Sequence, residues 1–141
     1  MSPLRAVVLA TGGFAVVVLP ALAMLGHRDQ VPAPYAGLSN PRMGDATAVA
    51  SGAVLFQSNC ATCHGAEGDG HGPAATGLAP PPANFRGGDV LARHSDAYLF
   101  YRISEGKPGT AMPSFRGVLD ERERWTVITY LRTLGVPAPD R

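Results

Sequence analysis

Apolar positions are distributed unevenly along the chain, and the unevenness divides it into three parts. Residues Ala6 to Leu25, AVVLATGGFAVVVLPALAML, run for twenty positions without a charge. A helix rising ~1.5 Å per residue over that run spans ~30 Å, the hydrocarbon thickness of a bilayer. Arg5 and the starting amine make the leading flank more positive than the His27-Arg28-Asp29 flank. The leading end should therefore stay cytoplasmic and the rest of the chain lie outside. Residues 1–25 are predicted as a retained membrane anchor, with 4–25 in the bilayer. The alternative is a cleaved export signal, because Pro20 precedes an Ala21-Leu22-Ala23 site of the A-x-A kind. Both readings export the remainder of the chain.

Residues 26–43, GHRDQVPAPYAGLSNPRM, contain Pro32, Pro34 and Pro41 and no periodicity. They read as an extended linker, ~3 Å per residue where polyproline-like, serving as a tether or as a strap along a partner subunit. From residue 44 onward the period becomes helical. A first helix beginning at Asp45 or Thr47 carries Val49, Ala53 and Phe56 at helical spacing, with Gly52 and Leu55 beside them. The glycine- and proline-rich stretch from Gly65 to Gly88 forbids regular structure. A second helix fits SDAYLFYRISEG, with Ser95 as N-cap and Gly106 as the stop. In the last, Asp120 and Glu123 form a capping-box pair, Trp125, Ile128, Leu131 and Leu134 make an apolar face, and Gly135 and Pro137 end it. No strand-like alternation is present, so the domain, 44–141, is predicted to be all-α and rich in loops.

Charge narrows the choice of partners. Residues 44–141 hold nine Lys and Arg against ten Asp and Glu, a formal charge of −1. With no basic stripe, nucleic-acid binding is excluded. Lys107 is the only lysine, so docking through a ring of lysines is excluded as well. Ninety-eight residues with many Gly and Pro make only a small core, and such chains often lean on a metal, a disulfide or a cofactor.

Both cysteines of the chain fall in SNCATCHGAEGDG, as Cys60 and Cys63, with His64 directly after the second. A structural zinc site needs four N or S ligands, and there is no second pair. A thioredoxin-like pair needs a strand before it, where here a helix leads in. A disulfide suits an exported domain but leaves His64 without a role. Covalent haem attachment by C-x-x-C-H uses all three residues: two thiols for the two vinyl groups, and an imidazole held beneath the ring on the iron. The candidates for the sixth iron position are Met112, His71 and His94. Met112 lies in KPGTAMPSF, a loop braced by Pro108, Gly109 and Pro113, and is predicted as the ligand. His71 is close enough to the attachment site to stay on the proximal side, and His94 reads as a surface residue near a helix start.

On CATCH, the GTAMPSF loop and the final RWTVITYLRTL helix, the chain from about Asn40 to Gly135 resembles a class I, mono-haem c-type cytochrome. The resemblance implies three to four helices around a covalently bound haem, here with an N-terminal transmembrane helix. It implies that the first and last helices cross, with Gly52 against Tyr130 and with Phe56 and Trp125 nearby. It implies a proline carbonyl accepting the hydrogen bond of His64, with Pro73 as the choice and Pro80 as the rival. The stretch GDGHGP…APPPANF is similar to the subgroup found in respiratory and photosynthetic membrane complexes.

The resulting expectation is a one-electron carrier. A His64/Met112 iron is saturated, and the soft thioether favours Fe(II). Burial among Leu78, Phe85, Leu99, Ile103 and Phe115 disfavours the extra charge of Fe(III). Asn84, Arg86 and Trp125 are the donors available to the haem carboxylates, though each also reads as an ordinary surface or packing residue. Partners would be a quinol-oxidising complex, a terminal oxidase or a photosynthetic reaction centre, met on the periplasmic side of the membrane. The alternative is a haem protein with open coordination, peroxidase-like or gas-sensing, with His94 or Arg102 as its distal residue.

Overall fold

The structure is a computed structural model, and it describes residues 30–87 and 89–135. Asp45 opens helix α1 (Ala46–Asn59) by accepting from the amides of Thr47 at 2.9 Å and Ala48 at 3.1 Å, first-turn donors with no partner inside the helix. The chain turns at Cys60 into a one-turn helix, α2 (Ala61–His64). After the glycine-rich loop come the short α3 (Asp89–Arg93) and then α4 (Asp96–Glu105), where Ser95 Oγ accepts from Tyr98 N at 3.2 Å. Gly106 ends α4 at φ 74°, a conformation that side-chain-bearing residues rarely adopt. Helix α5 (Glu121–Leu134) starts with the expected reciprocal pair: Glu123 N donates to Asp120 at 2.7 Å, and Asp120 N donates to Glu123 at 2.8 Å. Among the described residues there is no strand.

Helices α1 and α5 cross at Gly52. A Cβ there would lie 2.7 Å from Tyr130 Cβ, so only glycine lets the two backbones approach this closely. Phe56, Val127 and Ile128 are almost wholly buried beside the crossing, with Phe56 and Tyr130 ring centroids 5.5 Å apart. Phe100 from α4 stacks on Trp125 of α5 at 4.0 Å and extends this core. Helix α3, five residues long, is too short to show a period in sequence. Arg132 of α5 holds it by donating to the carbonyls of Leu91 and, at 2.7 Å, His94, while its Nε meets Asp96 at 2.7 Å.

The predicted linker departs from expectation over its described part. Instead of running extended, residues 31–43 fold onto the helices. Tyr35 N and Ala36 N both return to Pro32 O, at 2.8 and 3.0 Å, and the Tyr35 ring is buried. Asn40 Nδ2 donates to Thr129 Oγ1 at 3.0 Å. The reason is one buried aromatic ring and a few polar anchors, which suffice to dock a segment that has no helical or strand period. The anchor expected at 1–25 lies outside the described residues. Among the described residues, no helix is long and apolar enough to cross a membrane.

Candidate functional site

Helix α2 sets Cys60, Cys63 and His64 within a single turn, with Cys63 N and His64 N both donating to Cys60 O, at 3.1 and 2.9 Å. The loop after it folds back on that turn. Gly70 N donates to His64 O at 2.7 Å, Gly72 N to Cys63 O at 3.1 Å and Ala74 N to Thr62 O at 2.8 Å. Gly72 passes so close to α2 that a Cβ would lie 2.6 Å from the carbonyl carbon of Thr62. Later in the loop, Phe85 stacks on His64 with centroids 4.9 Å apart.

His64 Nδ1 lies 3.1 Å from the carbonyl oxygen of Ala83. A carbonyl only accepts, so the proton sits on Nδ1 and the lone pair is left on Nε2, the tautomer a metal needs. Burial lowers the pKa of His64 below its ordinary value, and the Ala83 bond offsets part of that shift, so the ring is neutral at pH 7. The same burial, with Cys63 nearby, pushes the Cys60 thiol up to about 12. Neither thiol is tied up in a disulfide.

Opposite this wall stands the loop between α4 and α5. Lys107 N donates to Met112 O at 3.1 Å, and Met112 N to Thr110 Oγ1 at 3.2 Å. Phe115 N returns to Ile103 O at 3.0 Å, and Ser114 Oγ to Ser104 O at 2.6 Å. Two cavities open between the walls, of about 300 and 140 Å³. Leu78, Pro80–Pro82, Ala83, Lys107, Thr110 and Ala111 line the larger. Asn59, Cys60, Ile103, Pro113 and Phe115 line the smaller. The residues common to both are Cys63, His64 and Met112. Apolar clefts of this size with few polar groups are typical of cofactor sites. The donor set fits a haem: two thiols, an imidazole with a free Nε2, and a thioether across the slot.

Other predicted residues fall elsewhere. The carbonyl at His64 belongs to Ala83, not to Pro73 or Pro80, because loop closure, rather than residue type, selects a backbone acceptor; Pro80 instead lines the larger cavity. Trp125 lines neither of these two cavities and is stacked in the core on Phe100. Asn84 and Arg86 are exposed, Asn84 capping Arg86 N at 2.8 Å and Arg86 standing 3.9 Å from Glu67. His71 is exposed, 3.8 Å from Asp69. His94 stacks on Tyr98, and Arg102 lies over Tyr98 and Tyr101; neither lines these two cavities. Of the burial set, Leu78, Ile103 and Phe115 line the cavities, while Leu99 belongs to the core behind them. Sequence reasoning missed Ala83 and Lys107. The position of Lys107 between Gly106 and the methionine loop was the available signal for the second.

Residues 47–131 match the family described as cytochrome c oxidase, cbb3-type, subunit III. The cbb3-type cytochrome c oxidase subunit CcoP of Azospirillum brasilense is 31% identical over 77% of this chain and 37% of its own length. A cytochrome c-553-like protein of Synechocystis is 30% identical over 72% of this chain and 80% of its own. In three dimensions, a chain of the reducing HAO-like protein complex of Kuenenia stuttgartiensis is similar with a TM-score of 0.57 at 29% identity, over 70% of this chain and 47% of that one. The chain spans between 31% and 37% of the length of the cbb3-type relatives.

Proposed function

The chain belongs to the c-type cytochrome family described as cbb3-type cytochrome c oxidase subunit III, with haem c as its covalently bound cofactor, and from that premise we propose that it transfers single electrons through an iron held between His64 and Met112. Cys60 and Cys63 are the attachment residues. The bound haem supplies the one-electron Fe(II)/Fe(III) couple. His64 offers Nε2 because Ala83 holds the proton on Nδ1. The thioether of Met112 and the apolar lining both favour Fe(II) and raise the potential.

The observation that carries this reading is that Cys63, His64 and Met112 are the residues shared by the two cavities, so one slot runs between a histidine and a methionine. At its rim Pro80, Pro81, Lys107 and Ala111 are exposed, and Lys107 is the one charge lining the larger cavity. Such a rim suits a partner that docks through close apolar contact. Similarity to oxidase subunits favours a terminal oxidase as the acceptor over a photosynthetic reaction centre, with electrons arriving from a quinol-oxidising complex. Residues 4–25 would anchor the haem domain on the periplasmic side, and the haem would act as a carrier rather than as a site of catalysis.

The test is the optical spectrum of the membrane-extracted protein with and without carbon monoxide. The expected result is a reduced spectrum unaffected by the gas and, on oxidation, the weak far-red sulfur-to-iron band. Ready gas binding without that band would point to an open iron and end the carrier reading.

A further inference from the structure

Around Met112 the loop takes its backbone support from the last turn of α4. Ile103 and Ser104 accept from Phe115 and Ser114, and Gly106 is packed so tightly under the loop that a Cβ would lie 2.7 Å from Met112 O. The next residues outward, Glu105 at the end of α4 and Arg116 at the end of the loop, are ion-paired. Both also meet the hydroxyl of Tyr35, which donates to Glu105 and accepts from Arg116. Tyr35 comes from the segment that precedes the helices, so this clasp joins three separate parts of the chain.

The Tyr35 ring is well placed to be the fixed member. It is 7% exposed, with its centroid 5.1 Å from Tyr101 and 6.1 Å from Phe100, both on α4. Its backbone is held by the turn at Pro32, and the segment is pinned again at Asn40 by Thr129 of α5. A buried ring on a segment that turns back on itself at Pro32 and is anchored at Asn40 offers its hydroxyl to the charged pair with little rotational freedom. Hydrogen bonds to charged groups are the stronger kind.

From this arrangement we infer that Tyr35 is a positioning residue for the distal iron ligand: through Glu105 and Arg116 it fastens the far end of the methionine loop and keeps Met112 facing His64. The inference rests on the reading of Met112 as ligand. The segment from Val31 to Asn40 is then a working part of the haem site. Without the hydroxyl, the loop keeps its anchors on α4 and the direct Glu105–Arg116 pair, but loses the buried member that fixes that pair in place, and it swings open more often. An outside ligand that competes with Met112 would detect each opening.

The experiment titrates the oxidised, full-length holoprotein with imidazole and follows the optical spectrum, alongside a thermal melt. Tyr35→Phe keeps the buried ring and removes only the oxygen, and imidazole is expected to bind about tenfold more tightly than to the wild type. Arg116→Gln, at a side chain 58% exposed, breaks the same clasp from the solvent side and should show the same direction. A gain below twofold in both variants, whatever the melt does, overturns the inference and leaves Tyr35 as a packing residue. Met112→Ala separates the two ideas. If it binds imidazole far more tightly than the wild type while Tyr35→Phe does not, only the positioning role fails. If it binds no more tightly than the wild type, the His64/Met112 reading fails and takes this inference with it. Adding Tyr35→Phe to Met112→Ala should produce no further gain, and a further gain would likewise overturn the role assigned to the hydroxyl.

Discussion

His64 and Met112 face each other across one slot but are held there by different means. The histidine side is local: its turn is closed by Gly70, Gly72 and Ala74, all within about ten residues, and its ring is oriented by Ala83, 19 positions away. The methionine side depends on distance. Its loop is short and leans on the end of α4, and its outer end is fastened by Tyr35, which is 70 positions from Glu105 and 81 from Arg116. A wall made of many near-neighbour bonds opens only when much of the loop is lost. A loop whose outer end is fastened by one clasp can open there by itself, since local openings follow the weakest cooperative unit.

That contrast can be broken most severely from the histidine side. Gly72→Ala puts a Cβ against the backbone of α2 and should disturb the Gly72 and Ala74 hydrogen bonds together. Denaturant unfolding of the holoprotein should show a loss of about 1–3 kcal/mol, the usual range for overpacking. The sulfur-to-iron band should persist in the fraction still folded. Equal loss of the band before unfolding would mean that the two walls are not independent.

Acid should act on the other wall. The carboxyl of Glu105 is held below its ordinary value of 4.5, first by the Tyr35 hydrogen bond and then by Arg116, with Arg124 adding a weaker pull. A carboxylate lowered in the folded state contributes its stabilisation fully above that unfolded value and loses it as pH falls through the folded one. The far-red band should therefore fade below about pH 4.5, before the helices unfold by circular dichroism. Glu105→Gln should flatten this dependence, and an unchanged acid profile in that variant would remove Glu105 from the clasp.

Lys107 offers the smallest and finest probe. As the one cation lining the larger cavity, it favours the reduced iron. Lys107→Gln should lower the reduction potential by on the order of 20 mV at low ionic strength, and by less in high salt. A rise in potential, or a shift indifferent to salt, would place the ammonium away from the haem.

How far each feature could be read in advance depends on the range of the interaction that makes it. Asp45, Ser95 and the Asp120/Glu123 pair were legible as helix starts because a cap acts within three residues. Cys60, Cys63 and His64 were legible because their chemistry needs them in that order at that spacing. Ala83 was not, since every residue carries a carbonyl and only the path of the loop selects one. Trp125 looked like a carboxylate donor by residue type, yet an indole on the inner face of α5 stacks on Phe100 instead. Tyr35 lay in a proline-rich run without a period, where nothing local marks a residue for burial.

By itself, then, the sequence determined the three long helices, their caps and the covalent chemistry of the haem site, because propensity, capping and C-x-x-C-H act between near neighbours. Tertiary structure alone decided which carbonyl orients His64, that residues 31–43 pack against the helices, and that Tyr35 meets Glu105 and Arg116. Those contacts exist only after loops of many residues have closed, and closure is governed by the packing of the whole domain rather than by any stretch of it.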